Sequence, residues 1–154
     1  MNTTPMSRPQ WPVWIACCCL TILAALVLGV GVGSHLVLRH VEQTAPLWVG
    51  VILGFRRAQS TGWAILPSFL FWLLLMFVIW LYLLGIANLV NGHFSALEIA
   101  MTIVVGLASV AGLGMFFRST SSISWLARAG LFIGLGAIQV ACFMVSFSPS
   151  IAHR

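Results

Sequence analysis

Charge is nearly absent from this chain, and that shortage constrains the fold more than anything else in it. Of 154 residues, seven are basic and two acidic; the basic ones are all arginine and the acids are Glu42 and Glu98. A water-soluble domain carries roughly a quarter charged residues. With 61% hydrophobic residues, the chain reads as one whose solvent is lipid.

The apolar residues gather into four stretches, residues 12–38, 63–90, 96–117 and 123–147. Each exceeds the ~20 residues that cross ~30 Å of hydrocarbon at ~1.5 Å per residue. Continuous runs such as Phe69-Leu70-Phe71-Trp72-Leu73-Leu74 lack the alternating polarity of a barrel strand, and helices are the other way to satisfy a backbone in lipid. The expected fold is therefore an all-α integral membrane protein, residues 1–154 forming a single membrane domain with four transmembrane helices. The first stretch is too long for a signal peptide, and no A-x-A site follows it.

Between the first two stretches lies a shorter apolar segment, about residues 46–57, closed by Arg56 and Arg57. It is too short to cross a bilayer, and Thr44 and Pro46 suit a helix start. It reads as a short interfacial or re-entrant helix, with Arg56 and Arg57 placed to meet lipid headgroups.

Four spans put both termini on one side together with the 88–95 turn. Arg8 and Arg154 lie on that side, and Arg39, Arg56, Arg57, Arg118 and Arg128 on the other. The arginine-rich side is expected in the cytoplasm, so both termini are expected to be periplasmic, in a bacterial inner membrane.

In lipid, helices approach closely through small residues. Thr21, Ala25, Gly29 and Gly33 form such a seam on the first span, Ala108 and Gly112 on the third, and Ala127, Gly130, Gly134, Ala137 and Ala141 on the fourth. The second span is instead rich in aromatics. It is expected at the periphery, with Trp72 and Trp80 facing lipid or a partner.

Candidate chemistry is sparse. Ser95 and Glu98 have capping-box spacing, which places Glu98 in the first turn of the third span; as an acid near the membrane it is also a candidate ion or proton site. The cysteines, three consecutive and one distant, lack metal-ligand spacing. In a four-span topology His35 and His40 lie at the opposite end from His93 and His153, an argument against paired haem ligands. No cofactor is expected. Nucleic-acid binding would need a basic stripe on a wettable surface, and none is present.

These features point to a non-catalytic structural or assembly subunit of a larger membrane complex, of the secretion, conjugation, respiratory or photosynthetic kind. Other integral membrane subunits and lipids are the expected partners, and self-association is an option. A small oligomeric transporter or channel using Glu98 is the alternative, and a haem or quinone anchor a third.

Overall fold

The computed structural model describes residues 10–87 and 94–148. Among these the chain is entirely helical: α1 (Trp11–Ala24), continued by a π-helical stretch (Ala25–Gly31), then α2 (Val37–Thr44), α3 (Leu47–Phe55), α4 (Thr61–Leu83), α5 (Ala96–Phe117) and α6 (Trp125–Val145). Four helices are long and apolar enough to cross a membrane: Trp11–Gly31, Thr61–Leu83, Ala96–Phe117 and Trp125–Val145, with mean hydropathies of 2.7, 2.4, 2.1 and 1.7. The expected all-α class and its four long helices stand. Arg8, His93, His153 and Arg154, named from the sequence, and residues 88–93 of the expected 88–95 turn lie outside the described residues.

Local chemistry explains the helix ends. Ser95 caps α5: its Oγ accepts from the Glu98 amide at 3.2 Å, and its own amide donates to Glu98 Oε2 at 2.7 Å. Ser124 caps α6 by accepting from the Ala127 amide at 3.3 Å. Three other helices close on a residue in the left-handed region, His35 (φ 57°), Arg57 (φ 54°) and Gly85 (φ 71°). In each case the following amide reaches back to a carbonyl of the last turn, as Leu36 N does to Gly31 O at 2.9 Å.

The path of the chain differs from the sequence expectation in one respect that reorganises the rest. The segment predicted to lie at the interface runs instead along α1. Gly31 packs against Val37 and His40, Gly50 against Cys19, and Gly54 against Pro12 and Ala16. Thus α2 and α3 descend antiparallel to α1 for its whole length. Together residues 37–55 reach about 28 Å at ~1.5 Å per residue. Neither piece alone meets the length of a span, which is why the sequence concealed it.

One end of the bundle therefore holds the start of α1, the end of α3, the start of α4, the end of α5 and the start of α6. Gly62 packs on Phe116 there, Trp63 meets Phe116 edge-on at 5.1 Å, and the Arg128 guanidinium lies 5.5 Å from the Trp63 ring. The other end joins Gly33 to Leu97, Tyr82 to Phe94 and Arg39 to Phe147. Arg39 is thus separated by the length of the bundle from Arg56, Arg57, Arg118 and Arg128. Leu84 and Phe94 lie at the end that carries His35 and His40; the expectation that set those histidines apart from His93 and His153 falls on residues outside those described. Gln10 and Ser148 sit at opposite ends.

The core is built where α1, α3, α4 and α5 meet, from Ile15, Cys19, Ile22, Leu47, Phe69 and Val105. The helix expected at the periphery is central: 44% of the α4 apolar window is buried within the chain, against 6% for α6. Trp72 is 1% exposed and so does not face a partner, and Trp80 is half-buried. Aromatic bulk went inward because small residues opposite make room for it. Phe69 lies over Gly112, where a Cβ would overlap its ring, and Pro67, in the second turn of α4, packs on Gly136 at 3.3 Å from where a Cβ would stand.

Candidate functional site

Two features gather the residues that the fold leaves available: a cavity at the end of the bundle carrying Arg39, and the outward face of α6.

The cavity is about 760 Å³, within the range of small-molecule sites. Three segments supply its polar groups. Ser34 follows α1, Arg39, His40 and Gln43 project from α2, and Glu98 and Thr102 come from the first two turns of α5. Arg39 and Gln43, four residues apart, share a helix face, and His40 stands beside them. Deeper in, the walls are apolar: Leu26 and Val30 from the π-helical stretch, and Met76, Ile79 and Trp72 from α4. Trp72 is eleven residues before the end of α4, about 16 Å down the helix at ~1.5 Å per residue. The cavity therefore has a polar mouth and an apolar floor.

The hydrogen bonding around it is uneven. His40 Nδ1 donates to the Leu36 carbonyl at 2.9 Å; a carbonyl only accepts, so that nitrogen carries a proton. The Arg39 guanidinium lies 4.1 Å from the Phe147 ring centroid, a cation–π arrangement, while its buried Nε has no partner. Trp72 Nε1 is likewise buried without a partner. Behind the cavity, Gln43 Nε2 donates to Ser146 Oγ at 2.9 Å, and Gln139 Nε2 donates to the Gln43 main-chain carbonyl at 3.0 Å. These two bonds tie the broken strand of helix, α2, to α6.

Glu98 combines two positions. It lines the cavity mouth, and its Oε2 accepts from both the amide and the hydroxyl of Ser95, at 2.7 and 2.9 Å. The capping box accounts for its place in the sequence.

The small-residue seams divide in their use. On the first span Ala25 is buried, and a Cβ at Gly29 would stand 2.7 Å from Met101 of α5; Gly33 continues this contact to Leu97, while Thr21 is exposed and donates to the Cys17 carbonyl at 3.0 Å. Ala108 and Gly112 of α5 face α4. The α6 seam is not used among the described residues. Ala127, Gly130, Gly134, Ala137 and Ala141 are all exposed, and a Cβ at Gly130 or Gly134 would meet nothing within 4 Å. The face that α6 turns inward carries Gly136 and Gln139 instead. Arg56 and Arg57 are exposed at the other end of the bundle from the cavity.

Sequence reading named Glu98 but missed the set around it. Arg39, His40 and Gln43 were assigned to a connecting segment, and the i, i+4 pair on α2 was the signal that they share a face. Gln139, a buried amide in an otherwise apolar span, was a second signal, since polar groups at membrane depth require partners. Among the described residues no group of three or more His, Cys, Asp or Glu residues is placed to hold a metal ion. No family model matches the chain, and neither a curated protein nor a solved structure matches it.

Proposed function

We propose that this chain is a non-catalytic integral membrane subunit that assembles with another membrane protein through the outward face of α6. One observation carries the reading: five small residues at helical spacing form a continuous exposed outward stripe, and no described residue comes within 4 Å of a Cβ built at Gly130 or Gly134. In lipid, such a stripe gains little from acyl chains and much from a second helix, whose backbone can come close and gain dispersion contacts. The occupant is therefore a transmembrane helix of another integral subunit. Flanking bulk, with Ile133 68% and Ile138 50% exposed, supplies ridges on either side of the stripe.

The reading includes five crossings, with the α2–α3 pair as a broken fifth. Arginine distribution supports an orientation: Arg56, Arg57, Arg118 and Arg128 lie at one end and Arg39 at the other, which puts the arginine-rich end in the cytoplasm.

Purification in mild detergent followed by native gel electrophoresis tests the assembly. The wild-type chain is expected in a complex larger than itself. Gly134→Leu, whose side chain enters open space in the isolated chain, is expected to leave helicity and thermal stability unchanged and to abolish the complex. A wild-type chain recovered alone and monomeric would overturn the proposal.

A further inference from the structure

We infer that the end cavity is a binding site for an apolar molecule bearing a hydrogen-bond-accepting oxygen head, either a carboxylate or a neutral carbonyl. The inference is independent of the α6 seam and rests on the cavity alone.

Shape and polarity come first. A space of about 760 Å³ with polar groups at its mouth and Leu26, Val30 and Met76 below suits an amphiphile whose body lies inward. A headless hydrocarbon would strand the polar mouth, and a wholly polar solute would strand the floor.

The second observation is chemical. Trp72 lines the cavity, is 1% exposed, and its Nε1–H has no acceptor. An indole nitrogen only donates, as does the Arg39 Nε that is also without a partner. Leaving buried donors unpaired is costly. The two lie at different depths: an oxygen head at the mouth answers Arg39, which a head that only donates cannot do, while Trp72 stands on the floor beside the apolar body. A third observation is local backbone geometry: the wall opposite α4 comes from the π-helical stretch Ala25–Gly31, and π-helical turns recur at binding sites because they widen the helix.

Access follows from where the cavity lies. Among the described residues its polar lining, Ser34, Arg39, His40 and Glu98, lies toward the end of the bundle where α2 and α5 begin, so a molecule in the adjacent membrane layer is the one placed to reach it.

Native mass spectrometry of the full chain released from nanodiscs supplies the test, with three probes: 9,10-dibromostearate for the carboxylate head, decylubiquinone for the carbonyl head, and a dibromoalkane of matching length as the headless control. At least one headed probe is expected to bind saturably, one per chain, with the alkane binding no more than background. Arg39→Gln at the mouth is expected to weaken that binding about tenfold, the loss of one hydrogen bond to the head, and Trp72→Phe on the floor, which keeps the apolar wall, to leave it unchanged. Binding of dibromostearate alone assigns a carboxylate; binding of decylubiquinone assigns a carbonyl. If Trp72→Phe fails to fold, as judged by helicity, Arg39→Gln at the mouth decides. Equal binding of the alkane, no binding of either headed probe, or binding indifferent to Arg39→Gln would overturn the inference. Recovery of a partner protein does not enter this readout, so it fails separately from the assembly proposal.

Discussion

At the scale of single residues, the same amino acid has opposite meanings on different helices. Gly112 lies under the Phe69 ring, and a Cβ there would overlap ring atoms of a side chain that is itself fully buried. Gly134 opens onto empty space. Overpacking a close contact costs roughly 1–3 kcal/mol because a buried ring has nowhere to go. Gly112→Ala is therefore expected to destabilise the chain by about 2 kcal/mol, and Gly134→Ala by less than about 0.5 kcal/mol, the usual size for a site without close neighbours. Reversible unfolding in mixed micelles compares the two directly; equal costs would mean that Phe69 does not rest on Gly112. Nothing in the sequence separates these glycines, since each sits in a small-residue pattern. Only the element packed opposite decides.

At the scale of elements, the α5 start and the short helix α3 within 46–57 were legible, and the joining of α2 to α3 as a path along α1 was not. Ser95 and Glu98 sit at fixed local spacing, so the capping box is written in four consecutive residues and the structure keeps it. Its chemistry yields a discriminating prediction. Ser95→Ala removes the acceptor for the Glu98 amide and is expected to cost about 1 kcal/mol of stability. Glu98→Gln keeps a side-chain oxygen that can accept from the Ser95 amide, as glutamine does in capping boxes, and is expected to cost less than about 0.5 kcal/mol. Unfolding measurements on both variants check this. A Glu98→Gln cost matching that of Ser95→Ala would show that the negative charge, rather than the acceptor, is what the site needs. The α2–α3 pair escaped because each piece is shorter than a span and because Arg39, His40, Glu42 and Gln43 lower the hydropathy of the first. Pro46 separates the two helices by removing an amide donor. The partners that make α2 tolerable, Gln139 and Ser146 of α6, are about a hundred residues away in sequence. The aromatic wealth of α4 was equally ambiguous, since bulky side chains fill a core or face lipid according to what lies opposite.

At the scale of the whole molecule, the broken pair changes the parity of the chain. Counting only long apolar helices gives four passages along the bundle; adding residues 37–55 as a return along α1 gives five and sets Gln10 and Ser148 at opposite ends. The arginines then sort differently. Arg39 leaves the group it was counted with, and the end shared by Arg56, Arg57, Arg118 and Arg128 also carries Gln10, while Ser148 lies at the other end with the cavity mouth. The proposed orientation, from the positive-inside rule, expects Gln10 toward the cytoplasm and Ser148 away from it. Single-cysteine variants placed at positions 10 and 148, in a background with Cys17, Cys18, Cys19 and Cys142 replaced by alanine, test this in intact cells. A membrane-impermeant maleimide is expected to label position 148 and to reach position 10 only after permeabilisation. Labelling of both positions in intact cells would restore the four-passage reading. It would also require α2 and α3 to leave α1 in the membrane, exposing Cys19 and Ala16 where Gly50 and Gly54 now cover them. Parity, orientation and the depth of the cavity thus stand or fall on one contact, the packing of a broken helix along the first span.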